Sequence, residues 1–139
     1  MQPRIEVSEN QVVSDQPTSP VTSTMLSDCV QACVECQLAC TACTDASLAD
    51  DHVADMRRCI RVGLDCAEIC GLTSRMLIRF VNSDVALLRA QLATCARACV
   101  TCEAECRART SIHGDASAAA CARCYETCRN LLRQLAATN

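Results

Sequence analysis

Cys29, Cys33, Cys36, Cys40 and Cys43 are separated by steps of four, three, four and three residues. Cys95, Cys99, Cys102 and Cys106 repeat that rhythm, Cys121, Cys124 and Cys128 run three then four, and Cys59, Cys66 and Cys70 complete a set of 15 cysteines in 139 residues. A thiolate is both a nucleophile and a soft metal ligand, so cysteines at this density could cross-link, exchange electrons or bind metal. Steps of three and four keep side chains on one stripe of a helix, the stripe that a bundle turns inward. Whatever these thiols do, they do it facing one another inside a core.

The elements that must position them follow from the punctuation of the chain. Residues 1–19 are polar, contain Pro3 and Pro17, and read as a loose N-terminal tail. Ser19 followed by Pro20 suits a helix start, and a first helix then runs to about Ser47. Asp50 or Asp51 is expected to cap a second helix reaching about Phe80. Asn82, Ser83 and Asp84 provide a stop and a new cap, Gly114 is expected to end the third helix, and Asp115 to open a fourth that reaches about Ala137. Four long helices joined by short links predict an all-α, antiparallel up-down-up-down four-helix bundle over residues 20–137 with a cysteine-lined core.

The inward seams can be followed beyond the thiols. On the second helix the seam reads His52, Met56, Cys59, Gly63, Cys66, Cys70, Thr73, Leu77 and Phe80; on the third it begins Val85, Leu88, Leu92 and ends Arg109 and His113; on the fourth it reads Ser117, the three cysteines, Leu131 and Leu135. Antiparallel order gathers Leu26 and these leucines at one end. His52, Met56 and His113 gather at the other, together with the Asp-rich links.

Several readings of the thiols fail on physical grounds. Residues four apart on a helix have Cβ atoms about 5–6 Å apart, whereas a disulfide needs about 3.8 Å. No apolar run in Met1–Thr24 suits a signal-peptide core and no segment reads as spanning a bilayer, so the expected compartment is the reducing cytoplasm, where stable disulfides are rare. As mere core filler, cysteine packs less well than Leu or Ile would at these positions. Stacked Zn(Cys)4 units would bury two negative charges each, and zinc motifs place their paired thiolates on turns rather than mid-helix. The C-x3-C-x2-C spacing also matches an iron–sulfur motif, but as a by-product of the heptad on a chain with no barrel to house it.

Cu(I) meets every constraint. It is soft, prefers thiolate and accepts two or three ligands, so the C-x3-C pairs Cys29/Cys33, Cys36/Cys40, Cys66/Cys70, Cys95/Cys99, Cys102/Cys106 and Cys124/Cys128 could each clasp an ion. One Cu(I) per thiolate is electrically neutral, which lets many ions share a buried core.

A four-helix bundle with repeated C-x3-C pairs and with His and Met at one open end resembles the cytosolic bacterial copper storage proteins. The resemblance implies storage of many Cu(I) ions, passage through the His-bearing end and assembly into a homotetramer. Carried across, all fifteen cysteines become ligands, and His113 corresponds to a histidine at the mouth, with His52 and Met56 as further candidates. Cys59 has Gly63 where a partner thiol would stand, so its partner must come from another helix.

Charge and motif content argue against other classes. The net charge is −3, and the 13 basic residues, all Arg, are interleaved with acids, leaving no basic stripe for nucleic acid. No Ser/His/Asp or Cys/His constellation suggests an enzyme. The competing functions are a metal-free thiol redox buffer or sensor and a module that delivers copper to a partner protein.

Overall fold

The computed structural model describes residues 21–109 and 111–138. It contains α1 (Ser23–Leu48), a short 3-10 turn (Val53–Met56), α2 (Arg57–Ile78), α3 (Val85–Arg107) and α4 (Ile112–Thr138). α1 packs against α2 and α4, and α3 against the same two, while the diagonal pairs keep their backbones apart and meet only through side chains on the axis. This is the expected up-down-up-down bundle. The tail assigned to residues 1–19, with the Ser19–Pro20 start, lies outside the described residues.

Helix boundaries differ from expectation in three places, each for a local reason. α1 is capped by Thr22, whose hydroxyl accepts the Met25 N–H at 3.1 Å. Asp50 does not cap α2. Its carboxylate accepts the His52 N–H at 2.7 Å, and Val53 and Asp55 then donate to the Asp50 and His52 carbonyls in a tighter turn. α2 therefore begins only at Arg57, with no side-chain cap on its preceding residue, and His52 and Met56 lie on the link rather than on a helical seam.

The third difference concerns Gly114 and Asp115, which sit inside the first turn of α4 rather than between helices. Ser111 is the residue that caps, its hydroxyl accepting the Gly114 N–H at 2.9 Å. A side chain at position 114 would lie 3.2 Å from the Cys106 carbonyl oxygen. The glycine is thus used for close approach between the end of α3 and the start of α4, not as a helix stop. The turn between α2 and α3 forms where expected: Asn82 takes a positive φ of 63°, and Asp84 caps α3 by accepting the Leu87 N–H at 3.1 Å.

The core divides along its length. Leu77, Leu88, Leu92, Leu131 and Leu135 are buried together with all fifteen cysteines, and Leu26, Phe80 and Val85 pack against them. Leucines close one end, and sulfur fills the rest. Contrary to the sequence reading, one helix, α3, is long and apolar enough to cross a membrane by length and composition alone. Its apolar seam of Leu88, Leu92, Cys95, Cys99, Cys102 and Cys106 is nonetheless spent on the bundle core.

Candidate metal centre

Every cysteine is a buried, free thiol, so the site is the interior of the bundle itself. The i, i+4 pairs Cys36/Cys40, Cys66/Cys70 and Cys102/Cys106 bring their sulfurs to 3.9, 3.9 and 4.0 Å. Contacts between helices are as close: Cys33–Cys124 at 3.6 Å, Cys36–Cys121 at 3.7 Å, and Cys40–Cys102 and Cys70–Cys99 at 3.8 Å. These gaps are nearly twice the disulfide bond length of about 2.05 Å. They leave the sulfurs facing one another, unbonded, at spacings an ion could bridge.

Three groups of four thiols have all their sulfurs within 4.8 Å of one another: Cys33, Cys95, Cys124 and Cys128; Cys36, Cys70, Cys99 and Cys124; and Cys36, Cys40, Cys66 and Cys121. The groups are not separate. Cys124 belongs to the first and second, and Cys36 to the second and third, so they form one chain of sulfur along the bundle axis. Cys29 extends it toward the leucines through Cys128 at 3.9 Å. Cys102 and Cys106 extend it the other way, toward the end where Cys43 and Cys59 lie.

Each thiol's acidity depends on its neighbours. Hydrogen bonding from Cys128, then from Cys33, holds Cys29 down to about 5. Cys40 is lowered in the same way by Cys102 and then Cys121, whereas Cys66 is raised, first by its hydrogen bond to Cys102. Nearer the open end, burial dominates: it pushes Cys43 up to about 12 and raises Cys59, where Arg109 pulls in the opposite direction. Where burial is the largest cause, as at Cys43 and Cys59, the thiol keeps its proton and adds no charge to the metal-free core.

The candidate mouth residues occupy the expected end but not the expected seams. His52 is exposed on the α1–α2 link, its Nδ1 3.5 Å from an Asp50 carboxylate oxygen. Met56 is half-buried at the end of the 3-10 turn, and His113 is exposed in the first turn of α4 rather than at the end of α3.

Two residues with no role in the sequence reading touch the site. Ser117, fully buried, places its hydroxyl 3.4 Å from the Cys40 sulfur; its place on the α4 seam, one helical turn before Cys121, was the available signal. Arg109 follows the end of α3 and donates from its guanidinium to the backbone carbonyl of Asp55. Nothing in the spacing of residues could show that contact, because it joins two links 54 residues apart.

The family model described as copper storage protein matches residues 22–133 of this chain. The uncharacterized cysteine-rich protein YhjQ of Bacillus subtilis is 32% identical over 103 residues, which are 74% of this chain and 92% of that protein. Among solved structures, the copper storage protein Ccsp of Streptomyces lividans, loaded with 10 copper equivalents, aligns with a TM-score of 0.79 at 37% identity, over 84% of this chain and 89% of that one. That Streptomyces protein is described as cytosolic. The Cu(I)-bound copper storage protein BsCsp3 aligns with a TM-score of 0.70 at 30% identity, over 78% of this chain and 98% of its own. With its thiol-lined bundle matched across nearly all of the described residues, the chain belongs to the copper storage protein family.

Proposed function

We propose that this protein stores and detoxifies many Cu(I) ions in the cytoplasm, holding them on the thiolates of Cys29, Cys33, Cys36, Cys40, Cys43, Cys59, Cys66, Cys70, Cys95, Cys99, Cys102, Cys106, Cys121, Cys124 and Cys128. The observation that carries this reading is the sharing of Cys36 and Cys124 between neighbouring groups of four sulfurs. Isolated structural sites do not share ligands, whereas a continuous run of soft donors suits thiolate-bridged Cu(I) and offers capacity rather than one tuned reactive thiol. No catalytic role is assigned.

Copper passes through the end that carries His52, Met56 and His113, because the leucines fill the other. Weaker imidazole and thioether donors there would receive an ion and yield it to the thiolates. Acidic side chains on the same links, Asp50, Asp51, Asp55 and Asp115, favour a cation's approach. Assembly as a homotetramer is part of the reading and is supported by apolar side chains left on the outer surface, among them Leu38 and Leu64; light scattering on the purified protein tests it.

The decisive experiment is anaerobic titration of the reduced protein with Cu(I), followed by native mass measurement. Storage predicts uptake of about fifteen ions, one per thiolate. Saturation at three or four would point to discrete sites, and failure to bind copper together with ready, reversible disulfide formation would favour a thiol redox buffer.

A further inference from the structure

The link between α1 and α2 carries two of the candidate mouth ligands, yet it is held to the rest of the bundle by little. Its hydrogen bonds are local: Asp50 N–H to the Ser47 carbonyl, Val53 to Asp50, Asp55 to His52, and His52 N–H to the Asp50 carboxylate. The 3-10 turn itself buries no residue. Among the described residues, one long-range hydrogen bond reaches this turn from across the open end, from the Arg109 guanidinium to the Asp55 carbonyl. Immediately beyond it, Arg58 pairs with Glu105 at 2.6 Å, tying the first turn of α2 to the last turn of α3.

Arg109 is well placed for this. It is half-buried just past the end of α3, with its backbone N–H bonded to the Cys106 carbonyl at 3.1 Å, so its base is fixed beside one of the outermost thiols. Its guanidinium charge also reaches Cys59, favouring the ionised thiol there against the rise that burial causes. A guanidinium presents several donors in a rigid plane and can hold two acceptors at once.

We propose that Arg109 is a latch: by clasping the Asp55 carbonyl it holds the turn bearing His52 and Met56 across the thiol-lined mouth, and copper passes when the clasp opens. The proposal rests on the storage reading and adds to it a positioning residue that sets rate without binding an ion. Because the clasp is a hydrogen bond to a backbone carbonyl, it acts through geometry and not through the net charge of the mouth.

The test uses the full chain and the variant Arg109→Ala, with Arg109→Lys as a second variant should the first fold poorly. Hydrogen exchange on the reduced apo protein should show the amides of residues 53–57 exchanging about tenfold faster in the variant, with the α1 and α3 interiors unchanged. Anaerobic Cu(I) loading and removal by a chelator should both accelerate several-fold, at an unchanged total of bound copper. The acceleration should persist in about 0.5 M salt, where exposed charges are screened within a few ångströms. Unchanged exchange in the turn overturns the latch. So does an unchanged loading rate, or an acceleration that vanishes in salt, which would assign the effect to charge. If wild type and variant both bind only a few ions, the storage reading fails instead, a result visible in the copper total independently of the exchange data.

Discussion

Cys36 on α1 and Cys121 on α4 hold their sulfurs 3.7 Å apart, and Cys36 is at the same time 3.9 Å from Cys40 and 4.0 Å from Cys66. One thiol therefore joins three helices and two groups of ligands. Removing a corner of that kind should cost more copper than removing a thiol at the edge. Cys36→Ser and Cys124→Ser are each expected to lower the bound total by two or more ions, and Cys43→Ser by about one. Native mass spectra of the loaded variants measure this; equal losses at all three positions would mean that the ions do not share ligands as the sulfurs do.

The leucine end should hold the bundle together without metal. Neutral thiols pack as small apolar groups, and Leu77, Leu88, Leu92 and Leu131 are all at most 1% exposed. Reduced apo protein is expected to show a fully helical circular dichroism spectrum, unlike small domains that fold only on binding metal. Leu131→Ala should then destabilise the apo form by about 3 kcal/mol, read from its denaturant midpoint. An apo protein that is coil until copper is added would contradict this account.

Alkali should loosen the metal-free fold through the thiols of the open end. Cys43 holds its proton to about 12 in the fold against an ordinary 9.0, so between those values the native state binds a proton that the unfolded chain has lost, and stability falls as pH rises. The contribution is fully present below about pH 9 and fades toward about 12. Cys29, lowered to about 5, runs the opposite way, losing its contribution as pH falls from 9 toward 5. Comparing wild type with Cys43→Ser isolates the first effect: the wild type should lose more stability than the variant between pH 9 and 11. Parallel curves would remove Cys43 as the cause.

His52 and His113 are both exposed at the end opposite the leucines, where they can meet an ion but not hold it among the buried sulfurs. Replacing both by Phe is expected to slow copper loading and chelator-driven removal several-fold while leaving the thiolate-bound total nearly unchanged. Stopped-flow loading with a coloured Cu(I) chelate reads the rate. A double variant that loads at the wild-type rate, alongside faster uptake when the leucine end is trimmed, would place the way in at the other end.

The cysteine spacing alone determined that the chain is helical, that its thiols share a core and that leucines gather at one end, because a period of three and four residues leaves one inward stripe per helix and short links leave one topology. Asp84 as a cap and the turn around Asn82 were legible for the same reason: both depend on residues only a few positions away. Gly114 and Asp50 misled, Gly114 because a close approach between helices overrode its local preference and Asp50 because a competing local turn took its carboxylate. Gly114 was needed where the backbones of α3 and α4 approach, and Asp50 satisfied the His52 amide in a tight turn that precedes α2. Only the tertiary structure decided which sulfurs are shared between groups, that the Ser117 hydroxyl joins Cys40, and that Arg109 reaches the Asp55 carbonyl. Those relationships depend on the rotation and stagger of one helix against another, which close packing sets between residues far apart in the chain and which periodicity within a single helix does not encode.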